Sequence, residues 1–186
     1  RTGAVQGPSG TLWLGLRTGD DRLIDGKAII KLHRTADGAL ETSFREDLQG
    51  SHLYRTEVPC GTFHAVLELE GYAPAVLPFI EIRPIPEEPL LANLTAGAPA
   101  VIEIFDAVMP ARLEVKEVRF GLKVAEARVR PLPGERPQVR LRLEPGTYRV
   151  ELRLDDDGGR ATGSLLVLTS SPGDMPSLRL DASQGR

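Results

Sequence analysis

The chain has 186 residues, of which 41% are hydrophobic and 26% are charged, and its formal net charge is −3 at pH 7. These values are typical of soluble globular proteins and leave room for one large or two small domains. The small net charge gives no electrostatic reason to expect nucleic acid or an anionic membrane as a partner. No apolar run approaches the ~18–20 residues of a membrane span, so membrane insertion is not expected.

Cys60 is the only cysteine, which excludes an intramolecular disulfide and a disulfide-scaffold fold. A lone cysteine beside a turn is typically a small half-buried residue. The sequence begins Arg1-Thr2-Gly3, without Met and without a signal-like apolar core. This beginning favours a processed mature protein or a piece of a longer one, and with it a secreted or cell-envelope location. A cytoplasmic location stays open.

Residues 1–10 are rich in Gly and are expected to form a flexible lead-in to a first domain over 11–84. In that domain, alternating apolar and polar residues predict strands over 11–17, 28–34, 40–46, 52–58, 63–69 and 75–83. The first strand has three leucines on one face and Trp13 on the other, as an exposed aromatic. The last is apolar on both faces for part of its length, which indicates a central strand or one covered by a neighbouring domain.

Three aspartates follow the first strand, at Asp20, Asp21 and Asp25, and invite comparison with a calcium loop. Calcium loops need oxygens at alternating positions and a closing bidentate carboxylate. Here Arg22 and Lys27 interrupt the acidic residues and no closing Glu is placed. A solvated turn is therefore the favoured interpretation, and no metal is expected.

Pro84, Pro86 and Pro89 stand close together and predict an extended, semi-stiff linker over 85–97. A second domain follows over 98–181, with a tail at 182–186. Its predicted strands lie over 100–108, 139–143, 148–154, 163–168 and 177–180, with further strands within 111–130.

The segment 111–130 is ambiguous. Its inward phase changes between Val115 and Val118 and again after Val124, which requires a bulge or bend if the segment is β-structure. Val115, Val118 and Leu122 also fit helical spacing, so an amphipathic helix is the alternative for part of it. Strands are favoured because β-branched residues dominate and no helix cap precedes the run.

The two domains share a repeated motif. Gly61-Thr62-Phe63 recurs as Gly146-Thr147-Tyr148, 85 positions later, each time before an alternating strand. About six strands in each domain, with turn signals every 8–12 residues, are the spacing of a sandwich. The predicted fold is all-β: two tandem antiparallel β-sandwich domains, Ig-like or prealbumin-like, joined by the Pro-rich linker.

The stretch Val58-Pro59-Cys60-Gly61-Thr62-Phe63, followed by Glu70-Gly71-Tyr72-Ala73-Pro74, resembles the carboxypeptidase-regulatory-like and PEGA-type domains of the prealbumin-like group. The second domain matches over Glu144-Pro145-Gly146-Thr147-Tyr148 but has Asp156-Asp157-Gly158-Gly159 where Gly-Tyr is expected. The resemblance implies non-catalytic accessory modules of secreted or envelope proteins, which support a neighbouring domain or mediate contacts. Because the motif is architectural, it transfers no catalytic or binding residue.

The residues themselves predict no catalytic, cofactor or metal site. His33, His52 and His64 are not spaced as metal ligands usually are, and alternation places His64 on an outward face. The sequence contains neither a G-x-S-x-G elbow nor a phosphate-binding glycine loop. We therefore do not expect an enzyme.

Five residues are the candidates for partner binding. Arg140, Arg142, Arg149 and Arg153 point outward on strands joined by one turn and are expected to form one basic stripe, although interleaved acidic residues make cross-strand ion pairing the alternative. Trp13 is the fifth. The predicted function is a non-catalytic structural or protein-interaction module, an accessory part of a larger secreted, cell-envelope or multi-subunit assembly. Its expected partners are other protein chains, with self-association through edge strands as one form. The alternative is a carbohydrate-binding module that uses Trp13.

Overall fold

The computed structural model describes residues 8–48, 53–85, 88–105, 110–130, 136–154, 160–167 and 177–182. The chain divides into two compact units, Arg1–Thr95 (unit 1) and Ala96–Arg186 (unit 2). The described part of each unit is built from strands, and the predicted all-β fold of tandem sandwiches is confirmed. The described residues include no helix that could span a membrane.

Unit 1 contains seven described strands. They are β1 (Ser9–Arg17), β2 (Gly26–Arg34), β3 (Leu40–Leu48), β4 (Leu53–Pro59), β5 (Gly61–Leu69), β6 (Ala75–Ile82) and β7 (Leu90–Asn93). They form a three-stranded sheet in the order β4-β1-β7 and a four-stranded sheet in the order β3-β2-β5-β6.

Unit 2 also contains seven described strands. They are β8 (Ala98–Phe105), β9 (Ala111–Glu117), β10 (Lys123–Val129), β11 (Gln138–Leu143), β12 (Gly146–Leu154), β13 (Arg160–Val167) and β14 (Ser177–Asp181). Their sheet orders, β11-β8-β14 and β10-β9-β12-β13, are those of unit 1 with every strand number raised by seven. The repeated Gly-Thr-aromatic motif begins β5 in one unit and β12 in the other, which are equivalent strands.

One strand lies in the stretch that the prolines led us to expect as linker. Leu90–Asn93 forms β7 and pairs in parallel with β1, from Leu14 opposite Leu90 to Arg17 opposite Asn93. Ala92 is fully buried there. The prolines of this region precede the strand, so their missing N–H groups do not interrupt its ladder. In unit 2, β14 pairs in parallel with β8 in the same way. The other pairings of the described strands are antiparallel.

The core of unit 1 lies between its two sheets. Alternate residues of β1, β2 and β5 are buried on the inner faces, among them Leu14, Ile30 and Leu67. The sandwich is closed at one corner where β1 crosses the end of β6: the Thr11 N–H donates to the Arg83 carbonyl at 3.2 Å. A Cβ on Gly10 would lie 2.5 Å from that carbonyl oxygen, so this crossing requires glycine.

In unit 2 the inward positions of the repeated strand are buried as its alternation predicts, including Tyr148, Val150 and Leu152. The Tyr148 hydroxyl donates to the Glu144 carbonyl at 2.9 Å. Burial raises the pKa of Tyr148 to about 12, and the negative charges of Glu144 and Glu117 act in the same direction.

The segment 111–130 forms strands, as favoured. Its first phase change is not a bulge, because β9 ends at Glu117 and Val118–Phe120 form the turn to β10. The second is a bulge between Lys123 and Ala125. Gly121, with φ of 68°, lies between β9 and β10 and allows this hairpin to close.

Candidate functional site

The outer face of the three-stranded sheet of unit 1 holds an apolar surface around Gly15. The tips of three leucines converge there: Leu91 Cδ2, Leu53 Cδ2 and Leu23 Cδ2 lie 2.8, 3.0 and 3.5 Å from where a Gly15 Cβ would stand. Leu23 and Leu91 expose 42% and 44% of their surface, and Leu53 is half-buried. We call these three leucines, Gly15 and Trp13 the Gly15 patch.

Trp13 belongs to this patch by its position. It lies two residues before Gly15 on β1, on the same face and about 7 Å away at the rise of a strand. It is half-buried rather than fully exposed, and its cross-strand neighbour is Arg55. The expected exposed aromatic is therefore part of a larger apolar surface. Sequence alternation located Trp13, but it did not bring together leucines from a loop, β4 and β7.

The four arginines expected to form one stripe lie on two different sheets. Arg140 and Arg142 are on β11, which pairs with β8, whereas Arg149 and Arg153 are on β12, which pairs with β9 and β13. All four are exposed. The prediction of a single stripe was wrong because the turn between β11 and β12 carries the chain from one sheet to the other, and adjacency in sequence does not make two strands neighbours.

A larger charged surface covers the outer face of the four-stranded sheet of unit 2. Its residues align in three rows that cross β10, β9 and β12. The outer rows are basic and the middle row is acidic. The rows are Arg128, Arg112 and Arg153; then Glu126, Glu114 and Glu151; then Lys123, Lys116 and Arg149. We call these nine residues the charged face.

Two carboxylates of the middle row are buried under the basic side chains. Glu114 and Glu151 face each other across the β9–β12 ladder with 8% and 6% of their surface exposed. Lys116 Nζ lies 3.2 Å from Glu151 and 3.8 Å from Glu114, and Arg153 Nη2 lies 3.3 and 3.5 Å from the same two residues. Each cation thus contacts both carboxylates. Arg153, a predicted binding residue, is engaged in this ion cluster.

His64 lies on the outward face of β5, as alternation predicts, but only 5% of its surface is exposed. It lies opposite His33 across the β2–β5 ladder, and the Phe79 ring packs edge-on against it at 4.7 Å. The Phe79 N–H also donates to His64 Nδ1 at 3.3 Å. A bulge in β6 at Pro78 and Phe79 turns the aromatic ring over the histidine, with Phe79 at φ of 52°. Pro78 was the sequence signal that β6 is an edge strand rather than a central one.

The aspartate loop lines an open cleft with Thr18, Ile24 and Tyr72. Asp20 accepts a hydrogen bond from the Thr18 hydroxyl, which lowers the pKa of that carboxyl, and Asp21 forms an ion pair with Arg17 at 2.9 Å. Within the described ranges, no group of three or more His, Cys, Asp or Glu side chains is arranged to hold a metal ion. His52 lies outside the described residues.

No family model matches the chain, and no curated protein matches it. The solved structures that match the chain include a Bacillus anthracis protein and a streptococcal pilin. The Bacillus anthracis TIE protein has 13% identity and a TM-score of 0.37, over 93% of this chain and 34% of that one. A streptococcal ancillary pilin has 12% identity and a TM-score of 0.32, over 93% of this chain and 62% of that one. The chain thus spans less than two thirds of either protein.

Proposed function

We propose that this chain is a non-catalytic structural or protein-interaction module, an accessory part of a larger secreted, cell-envelope or multi-subunit assembly. The observation that carries the proposal is the Gly15 patch. Contiguous apolar surface on a soluble protein marks an interaction site more often than an isolated exposed leucine does. The patch lies on β1, which is paired on both sides by β4 and β7, so a partner would meet a rigid surface.

The surroundings of the patch have the composition of a protein–protein interface. Protein interfaces combine an apolar centre with a polar rim. Here the leucines form the centre, and Arg17, Arg55 and Glu57 lie on the same outer face of β1 and β4. Arg17 is held in place, because its Nε donates to Asn93 Oδ1 at 2.6 Å. The implied partner is another protein chain that presents apolar side chains.

The test is site-specific photo-crosslinking in the native assembly. A photoreactive residue at Leu91 is expected to crosslink a second protein chain, either a different protein or another copy. The same residue at Ala36, exposed in the turn between β2 and β3, is the control and should give no such product. No crosslink at Leu91 in the envelope fraction, together with a monomer in sedimentation at high concentration, would refute the proposal.

Carbohydrate binding is the second candidate, and the position of Trp13 favours it. An indole on the outer face of a sheet, with Arg55 opposite, offers a stacking surface and a hydrogen-bond donor. The surrounding leucines favour a protein partner instead, since sugars need more polar contacts. Binding on a glycan array that disappears in Trp13→Ala would support the sugar; a silent array would leave the protein partner as the proposal.

A further inference from the structure

We propose that the charged face of unit 2 is a docking surface for an acidic segment of a protein partner. This inference rests on the proposed function, because it assumes that the chain works by contacting other proteins. It adds a second surface, in the other unit, with a partner chemistry opposite to the apolar contact expected at the Gly15 patch.

The register of the sheet places like charges side by side. Arg128, Arg112 and Arg153 occupy one row, on three neighbouring strands about 4.8 Å apart. A second basic row lies four residues away along the strands, about 13 Å from the first. A segment that crosses the sheet along either row would meet three cations in succession.

The basic charge of this face exceeds what its own carboxylates neutralise. The face contains six cations against three glutamates, and Glu114 and Glu151 are buried beneath the basic side chains. Arg128 and Arg149 are exposed, and neither has an ion pair within the described residues. Guanidinium groups bind carboxylates through two parallel hydrogen bonds, so free arginines are suited to Asp and Glu side chains.

Charge elsewhere in the chain favours an acidic protein segment over a long anionic polymer. Unit 1 has nine basic against thirteen acidic residues, a balance of −4, whereas unit 2 has fourteen against thirteen. Because the chain as a whole has a net charge of −3, a long polyanion gains little by following it, while a short acidic segment needs only the charged face.

The other sheet of unit 2 provides the matched control, because two exposed arginines there contact residues of the same unit. Arg136 lies 5.0 Å from the Phe105 ring centre, and Arg179 lies 3.5 Å from Glu103 and 5.8 Å from the same ring centre. Reversing two arginines there changes the net charge of the chain by the same amount as reversing two on the charged face.

The experiment measures binding of a fluorescein-labelled peptide of alternating Glu and Ser residues by fluorescence anisotropy, with the full chain at low salt. In Arg128→Glu/Arg149→Glu we expect affinity to fall about tenfold, since two attractive contacts become repulsive. In Arg136→Glu/Arg179→Glu the affinity should stay within about twofold of that of the unmodified chain. Thermal unfolding checks both variants; if the first is unfolded, Arg128→Gln/Arg149→Gln replaces it, with an expected loss of about threefold.

Each outcome decides the proposal. An equal loss of peptide affinity in the two double variants would show that only the net charge of the chain matters, and it would overturn the proposal. Binding of inorganic polyphosphate without binding of the peptide would identify the face as a polyanion surface and overturn it as well. No binding of either probe has the same consequence. If the peptide fails while Leu91 still crosslinks a protein chain, this inference falls and the proposed function stands.

Discussion

Replacing Lys116 with Met tests the ion cluster of unit 2. The substitution keeps the length and apolar stem of the side chain but removes the ammonium that contacts both buried glutamates. Glu114 and Glu151 would then face each other with Arg153 as the remaining cation of the cluster. We expect the free energy of unfolding of unit 2 to fall by about 2–3 kcal/mol.

The magnitude follows from the geometry. Directly opposed residues of an antiparallel ladder have Cβ atoms about 5 Å apart, and two carboxylates at that separation repel by about 3 kcal/mol at an effective dielectric constant of about 20. Removing one partner of a buried ion pair typically costs about 3–5 kcal/mol. Lys116 keeps 27% of its side chain exposed, and Arg153 still contacts both carboxylates, so the expected cost lies below that range.

Glu151→Gln should lower the free energy of unfolding of unit 2 by less, about 1 kcal/mol. The substitution removes the attraction of Glu151 to two cations, but it also removes the repulsion between Glu151 and Glu114. The double variant should be more stable than the sum of the single effects by about 1 kcal/mol or more. Urea unfolding followed by circular dichroism measures all three. Trp13 fluorescence, which follows unit 1, should not change, and Arg128→Met on the same face is the control, within about 0.5 kcal/mol of the unmodified chain. A loss below about 0.5 kcal/mol for Lys116→Met, or strict additivity with Glu151→Gln, would refute the reasoning.

Three further predictions concern stability. Because the pKa of Tyr148 is raised in the folded state, its neutral hydroxyl contributes its full stabilisation of unit 2 below pH 10, and that stabilisation is lost as the pH rises towards 12. Tyr148→Phe should therefore flatten the dependence of the free energy of unfolding on pH between those limits, measured by paired urea titrations. Gly10→Ala should destabilise unit 1 by about 2 kcal/mol, measured by Trp13 fluorescence, since the new methyl group meets the Arg83 carbonyl; an unchanged midpoint would show that the corner relaxes without cost. Ala92→Asp should lower the unfolding midpoint of unit 1 sharply by burying an unpaired carboxylate, whereas Asn93→Asp at the exposed neighbouring position should have little effect.

The strands were predictable because their residues alternate. Leu12, Leu14 and Leu16 are all buried, and the Gly-Thr-aromatic repeat marks equivalent strands of the two units. Both features lie within short segments of sequence. Because successive side chains of a strand point to opposite faces, an apolar residue at every second position shows which face is buried.

The arrangement of the strands was less accessible from sequence. The order β4-β1-β7 brings Leu53 and Leu91 to Gly15, although they lie 38 and 76 positions away in the chain. Alternation says that Glu151 and His64 face away from the core, and this is true, but it does not show that neighbouring strands cover them. Burial on an outer face depends on which long side chains stand beside a residue, and strand pairing decides that. The arginine stripe failed for the same reason.

The parallel pairing of the first and last described strands of each unit has a mechanical consequence. Because β1 and β7 are parallel neighbours, tension on the chain pulls the start of β1 and the end of β7 in opposite directions along the same ladder. Its hydrogen bonds are then loaded together, in shear, instead of being opened one after another. The β1–β7 ladder of unit 1 has four paired residues and the β8–β14 ladder of unit 2 has five. Under a stretching force we therefore expect unit 1 to unfold before unit 2.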